Sequence, residues 1–186
     1  MRVREMIEKK YPRSGISKII LRRSEQSGEV LIFTAKPAVI LGKDGKLLVD
    51  LEAALKKFTG VVYIVTIKEV KVPELSAKIM AEFAAIQLEG RTPHRRVAKS
   101  IMQKVMEKGA LGVKIKIGGR LGGADISRSE HFSEGRIPLQ TLRSEVDYHI
   151  TTALTKYGIL GVKVWICKSE NVLISKQKNA MDKVVA

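Results

Sequence analysis

The chain has 186 residues, with 34 Lys and Arg against 19 Asp and Glu, for a formal charge of +15. An excess of that size selects a polyanionic partner, nucleic acid ahead of an anionic membrane, over a merely soluble basic protein; 45% apolar residues supply cores for one or two small domains. Aromatic residues make up only 5%, which excludes extended base stacking on exposed rings as the main mode of binding.

Residues 1–10 read as a short charged helix stopped by Pro12 and Gly15. Lys18–Arg22 and Val30–Thr34 are strands joined through a polar hairpin turn over residues 24–28. Pro37 opens a short apolar turn of helix that runs into Gly42-Lys43-Asp44-Gly45. Leu48, Leu51, Leu55 and Phe58 follow at spacings of three, four and three, one face of a helix that Gly60 ends; Val61–Ile67 is a third strand. A glycine turn between two helices on a three-stranded sheet resembles the clamp of a type II KH domain. In that module the turn's backbone approaches the sugar-phosphate chain of a single-stranded segment. Its N–H groups and the start of the next helix suit a phosphate, Lys43 and Lys46 add charge, and Asp44 subtracts some. The plainer reading is a helix–turn–helix whose glycines only make the bend.

Pro73 begins the next helix, whose buried face is predicted to be Leu75, Ile79, Phe83 and Ile86, with Gly90 closing it. Pro93 opens a further helix with Val97, Ala98, Ile101, Met102 and Val105 on one arc. At about 100° per residue, Arg95, Arg96, Lys99 and Gln103 share a different arc. Three cations there suit RNA phosphates; a solvated face is the alternative. Beyond Gly109 the period becomes two: Val113, Ile115 and Ile117 alternate with Lys114 and Lys116. The glycines of 118–123 lack a phosphate-loop ending and a dinucleotide spacing, so they predict tight turns packed around Arg120. Segments 126–137, 146–156 and 159–167 are extended, the last two joined by a hairpin at Tyr157-Gly158. The fold class is therefore α+β: an N-terminal type II KH domain, 1–71, then an α+β domain, 72–168, with two helices on a four-stranded, mostly antiparallel sheet. Residues 169–186 form a weakly periodic tail.

Three runs carry a fuller resemblance: Gly119-Arg-Leu-Gly-Gly-Ala-Asp-Ile-Ser-Arg, Glu134-Gly-Arg-Ile-Pro-Leu-Gln-Thr-Leu-Arg, and Tyr157-Gly-Ile-Leu-Gly-Val-Lys-Val-Trp-Ile. With Val146-Asp-Tyr, they resemble the C-terminal domain of bacterial-type small-subunit ribosomal protein three, and the likeness runs over about residues 1–168. The resemblance implies an rRNA-binding protein of the subunit head, beside the proteins numbered ten and fourteen, where mRNA enters. It implies that Arg95, Arg96 and Lys99 face incoming mRNA and assist unwinding. It also implies rRNA contacts, for which Lys114, Lys116, Arg120, Arg128, Arg136, Arg143 and Lys163 are the candidates. Two departures stand out: the sequence opens near the helix before the first KH strand, without the family's usual basic opening segment, and Asp44 stands where lysine is common.

No stretch is long and apolar enough to cross a membrane, and no signal-peptide core opens the chain. The single cysteine, Cys167, allows no intrachain disulfide and reads as a buried strand-end thiol. A cytoplasmic small subunit is the expected location, with an organellar ribosome left open. His94, His131 and His149 are scattered without metal-ligand spacing, and Glu130-His131 beside Ser133 points to opposite faces of an extended segment. No catalytic residue, metal, cofactor, membrane or small-molecule substrate is expected. The alternative function is a free-standing KH regulator that binds single-stranded RNA.

Overall fold

A computed structural model describes residues 2–12, 14–23, 28–42 and 45–169. The chain forms two compact α+β units that meet in sequence at Pro73 and Glu74. The first contains α1 (Arg2–Lys10), β1 (Ile16–Arg23), β2 (Gly28–Thr34), α2 (Pro37–Leu41), α3 (Lys46–Thr59) and β3 (Tyr63–Glu69). Its strands lie in the order β1-β2-β3; β1 runs antiparallel to β2, and β3 parallel to it. A parallel neighbour requires a long crossover, and α2, the glycine turn and α3 provide it.

Strand β1 starts two residues earlier than its apolar run suggests. A register shift between Ile16 and Lys18 brings Ile16 and Ile19 to one buried side although they are three apart. These two pack with Ile7, Val30, Ile32, Ile40, Leu51, Leu55 and Val65. Phe58 corrects the predicted helical face: it is 51% exposed, because its place in the last turn of α3 carries it beyond the buried Leu51 and Leu55. Gly60 does end α3, its N–H bonded to the Lys56 carbonyl at 2.9 Å. The hairpin turn at 24–27 and the tail at 170–186 lie outside the described residues.

The second unit contains α4 (Ala77–Glu89), α5 (His94–Glu107), β4 (Gly112–Gly119), β5 (Arg128–Gly135), β6 (Glu145–Thr155) and β7 (Gly158–Ser169). The strand order is β5-β4-β7-β6 and all three pairings are antiparallel. The β6–β7 loop is Lys156-Tyr157, one residue earlier than predicted, since Thr155 pairs with Gly158. Pro73–Leu75 makes only a 3-10 turn, and the α-helix begins after Ser76, where Asp147 Oδ2 on β6 accepts the Ala77 N–H at 3.0 Å.

Helix α4 holds the largest correction. Its buried side is Ala77, Met80, Ala81, Ala84, Ala85 and Leu88; Leu75, Ile79 and Phe83 are only half-buried at its flank, and Ile86 is 40% exposed. Small side chains let the helix lie close on the sheet, while a reading weighted by side-chain size picks the opposite arc. Ala81→Leu therefore costs about 1–3 kcal/mol through overpacking, whereas Ile86→Ala costs less than about 1 kcal/mol. Trp165, the chain's one tryptophan, stands on β7 and makes urea unfolding followed by its fluorescence the check. Equal losses from the two substitutions would contradict the alanine-stripe packing.

Candidate nucleic-acid interface

Helix α5 follows Pro93, whose fixed φ suits a helix start. Val97, Ala98, Ile101 and Val105 are fully buried, so Arg95, Arg96, Lys99 and Gln103 face solvent as the period predicts. Gln103 donates to Glu107 at 2.9 Å, and the Lys104 ammonium sits 4.3 Å from the centre of the Phe83 ring. Among the described residues neither Arg96 nor Lys99 pairs with a carboxylate.

Arg95 is different, and sequence reasoning missed its partner. Glu130 on β5 pairs in register with Ile117, which puts its side chain on the helix-covered side of the sheet. Its Oε2 lies 3.1 Å from His94 Nε2 and 3.4 Å from Arg95 Nε; its Oε1 lies 3.1 Å from a terminal nitrogen of Arg128. A carboxylate only accepts, so the His94 ring nitrogen is a donor here. Hydrogen bonds from Arg95 first, then His94, hold the Glu130 carboxyl below the usual carboxylate range. With its pKa depressed in the fold, the cluster stabilises fully above the ordinary carboxylate pKa and loses that contribution as pH falls through the lowered value. The signal available in sequence was a deficit. The first turn of α5 holds His94, Arg95 and Arg96 and no acid, at the helix end whose dipole disfavours cations.

The remaining predicted cations fall into separate places. Lys114, Lys116 and Lys163 come together on the sheet face opposite the buried Val113, Ile115 and Ile117, because Lys116 pairs with Lys163 and Lys114 with Trp165. Tyr148 stacks on Trp165 with ring centres 5.1 Å apart, and the Lys114 ammonium lies 5.7 Å from the Trp165 ring. Exposed Ile150, Leu154 and Ile159 continue this open face as an apolar patch. Arg128 belongs to the Glu130 cluster instead. Arg120 fastens its own loop, with Nε donating to the Ala124 carbonyl at 2.8 Å and a terminal nitrogen 3.1 Å from Asp125. The predicted packing around Arg120 is therefore present. Arg136 and Arg143 are exposed on the segment between β5 and β6. Cys167 is fully buried.

In the glycine turn, Gly42 has φ 69° and ψ −172°, a region essentially reserved for glycine. A Cβ added there would lie 2.6 Å from the Leu47 side chain. Gly45 has φ 71° and ψ 4°, and an added Cβ meets nothing within 4 Å. The first turn of α3 is tied to Tyr11, whose hydroxyl donates to the Leu47 carbonyl at 3.1 Å; burial, then the charge of Asp50, raises the Tyr11 pKa. Lys43 and Asp44 lie outside the described residues, as does the side chain of Lys46.

The two glycines are thus unequal. Gly42→Ala should cost about 3 kcal/mol or more, combining backbone strain with a clash against Leu47; Gly45→Ala should cost only about 1–2 kcal/mol of backbone strain. Urea unfolding followed by far-UV circular dichroism separates them, and a larger loss at Gly45 would contradict the geometry.

Residues 2–75 match the family model of the KH domain, and residues 84–166 match that of ribosomal protein S3, C-terminal domain. The small ribosomal subunit protein uS3 of Shewanella loihica is 45% identical over 168 residues, covering 90% of this chain and 73% of that protein. The uS3 of Persephonella marina is 41% identical over 179 residues, covering 96% and 79%. That of Buchnera aphidicola is 45% identical over 169 residues, covering 91% and 72%. Identity at this level runs through both folded units, and the chain belongs to the uS3 family of small ribosomal subunit proteins.

Proposed function

We propose that this chain is a structural, non-enzymatic protein of the small ribosomal subunit that binds rRNA of the subunit head and contacts mRNA where it enters. The observation that carries the reading is the α5 face. Arg95, Arg96 and Lys99 are exposed together on a helix whose other side is fully buried. Cations held on a rigid support can bind the phosphates of a separated strand without nucleotide hydrolysis, while translocation supplies the pull. In this reading residues 1–71 act as a KH module and residues 72–168 as the domain that presents α5.

The turn Gly42–Lys46 serves as an architectural RNA contact, with Asp44 weakening its grip. Lys114, Lys116 and Lys163 neutralise rRNA phosphates from the open sheet face, while Arg120, Arg128, Arg136 and Arg143 do so from loops and the edge strand. The neighbouring head proteins numbered ten and fourteen are the proposed protein partners. The exposed apolar patch of Ile150, Leu154 and Ile159 supports a docking role for that face, since such clusters on a sheet favour a protein cover.

Replacing Arg95, Arg96 and Lys99 together by alanine should leave folding and subunit incorporation intact. It should slow translation through a stable mRNA hairpin while sparing unstructured messages. In binding of a hairpin RNA to the isolated protein, the slope of log affinity against log salt should shrink by about 2–3, close to one per lost phosphate contact. Equal slowing on both kinds of message, or an unchanged slope, would defeat the assignment.

A further inference from the structure

One carboxylate organises the start of the cationic helix. Glu130 is 22% exposed and receives His94 and Arg95 on one oxygen and Arg128 on the other. Its partners come from two elements, α5 and β5, so the contact joins the first turn of the helix to the edge strand of the sheet. The Arg95 side chain is nevertheless 68% exposed. It is therefore held by one N–H while most of it stays open to solvent. Arginine carries five N–H donors in a planar fork, and engaging the ε-nitrogen fixes the plane in which the others point.

We propose that Glu130 is a positioning residue for RNA: it holds Arg95 through Nε–H so that the remaining donors of the guanidinium meet a phosphate without first being ordered. A free arginine loses side-chain entropy on binding, and a partly immobilised one loses less. Glu130 also places a negative charge beside the positive end of α5, where the sequence of the first turn supplies none. Arg96 and Lys99 have no such carboxylate among the described residues, so the effect is specific to Arg95. The proposal rests on the reading that Arg95 contacts mRNA, and two measurements separate the two.

In the full-length chain labelled with nitrogen-15, the Arg95 Nε–H should exchange with water more slowly than that of Arg96. Glu130→Ala, which removes the acceptor, should abolish the difference. Exchange as fast as at Arg96 in the unaltered chain would overturn the positioning role. In reconstituted small subunits, Glu130→Ala should slow passage through an mRNA hairpin about 1.4- to fivefold, the range of an exposed ion pair's coupling expressed as a rate. Unstructured messages should pass at the unaltered rate. In an Arg95→Ala background, Glu130→Ala should add nothing. A further slowing of the same size in that background would show that Glu130 acts other than through Arg95, and would overturn the proposal. If Arg95→Ala has no hairpin-specific effect, the mRNA reading of Arg95 fails. The exchange measurement then still decides whether Glu130 orders that side chain.

Discussion

The burial of one stripe of α5 is the constraint on which the rest of the second unit depends. Val97, Ala98, Ile101 and Val105 are sealed into the same core as Val113, Ile115 and Ile117 of β4. A fully buried valine or isoleucine contributes about 1.5–3 kcal/mol relative to an exposed one. Rolling the helix by a single residue, about 100°, would lift several of these into water and drive Arg96 or Lys99 toward the sheet. The orientation of Arg95, Arg96 and Lys99 thus follows from apolar packing on the other side of the helix. The cations need no partner among themselves to stay on one face.

Acidic side chains from the sheet then finish what the helices lack. Neither α4 nor α5 has an acid in its first turn or a capping bond from its own N-cap side chain. Asp147 on β6 reaches the first backbone N–H of α4, and Glu130 on β5 reaches the side chains that open α5. Asp147 is itself paired with Lys168 at 3.3 Å. In a chain of charge +15, such acids set which cations also bond within the chain. Arg120 and Arg128 are engaged within the chain, while Arg96 and Lys99 carry no ion pair among the described residues.

Local features were legible in the sequence and long-range ones were not. The cationic arc of α5, the alternation of β4, the stop at Gly60 and the turns around Arg120 all follow from periodicity or from glycine. The α4 face was misread because alanine carries little apolar weight yet allows the closest approach to a sheet. Phe58 has the right period but lies past the buried part of α3, and a period does not say where the covered surface ends. The shift at Ile16 and Lys18, and the parallel pairing of β3 with β2, depend on partners remote in the chain. The same holds for Glu130, which is 36 residues from His94 and 35 from Arg95.

The most direct test is contact with mRNA itself. A photoreactive phenylalanine analogue substituted at Arg96 or Lys99, in small subunits engaged in translation, should crosslink to the message on the side that is still entering. The same analogue at Ile150, on the open sheet face, should crosslink to protein or rRNA and leave the message unlabelled. Message crosslinks from Ile150 and none from Arg96 or Lys99 would contradict the assignment of α5 as the mRNA-facing element.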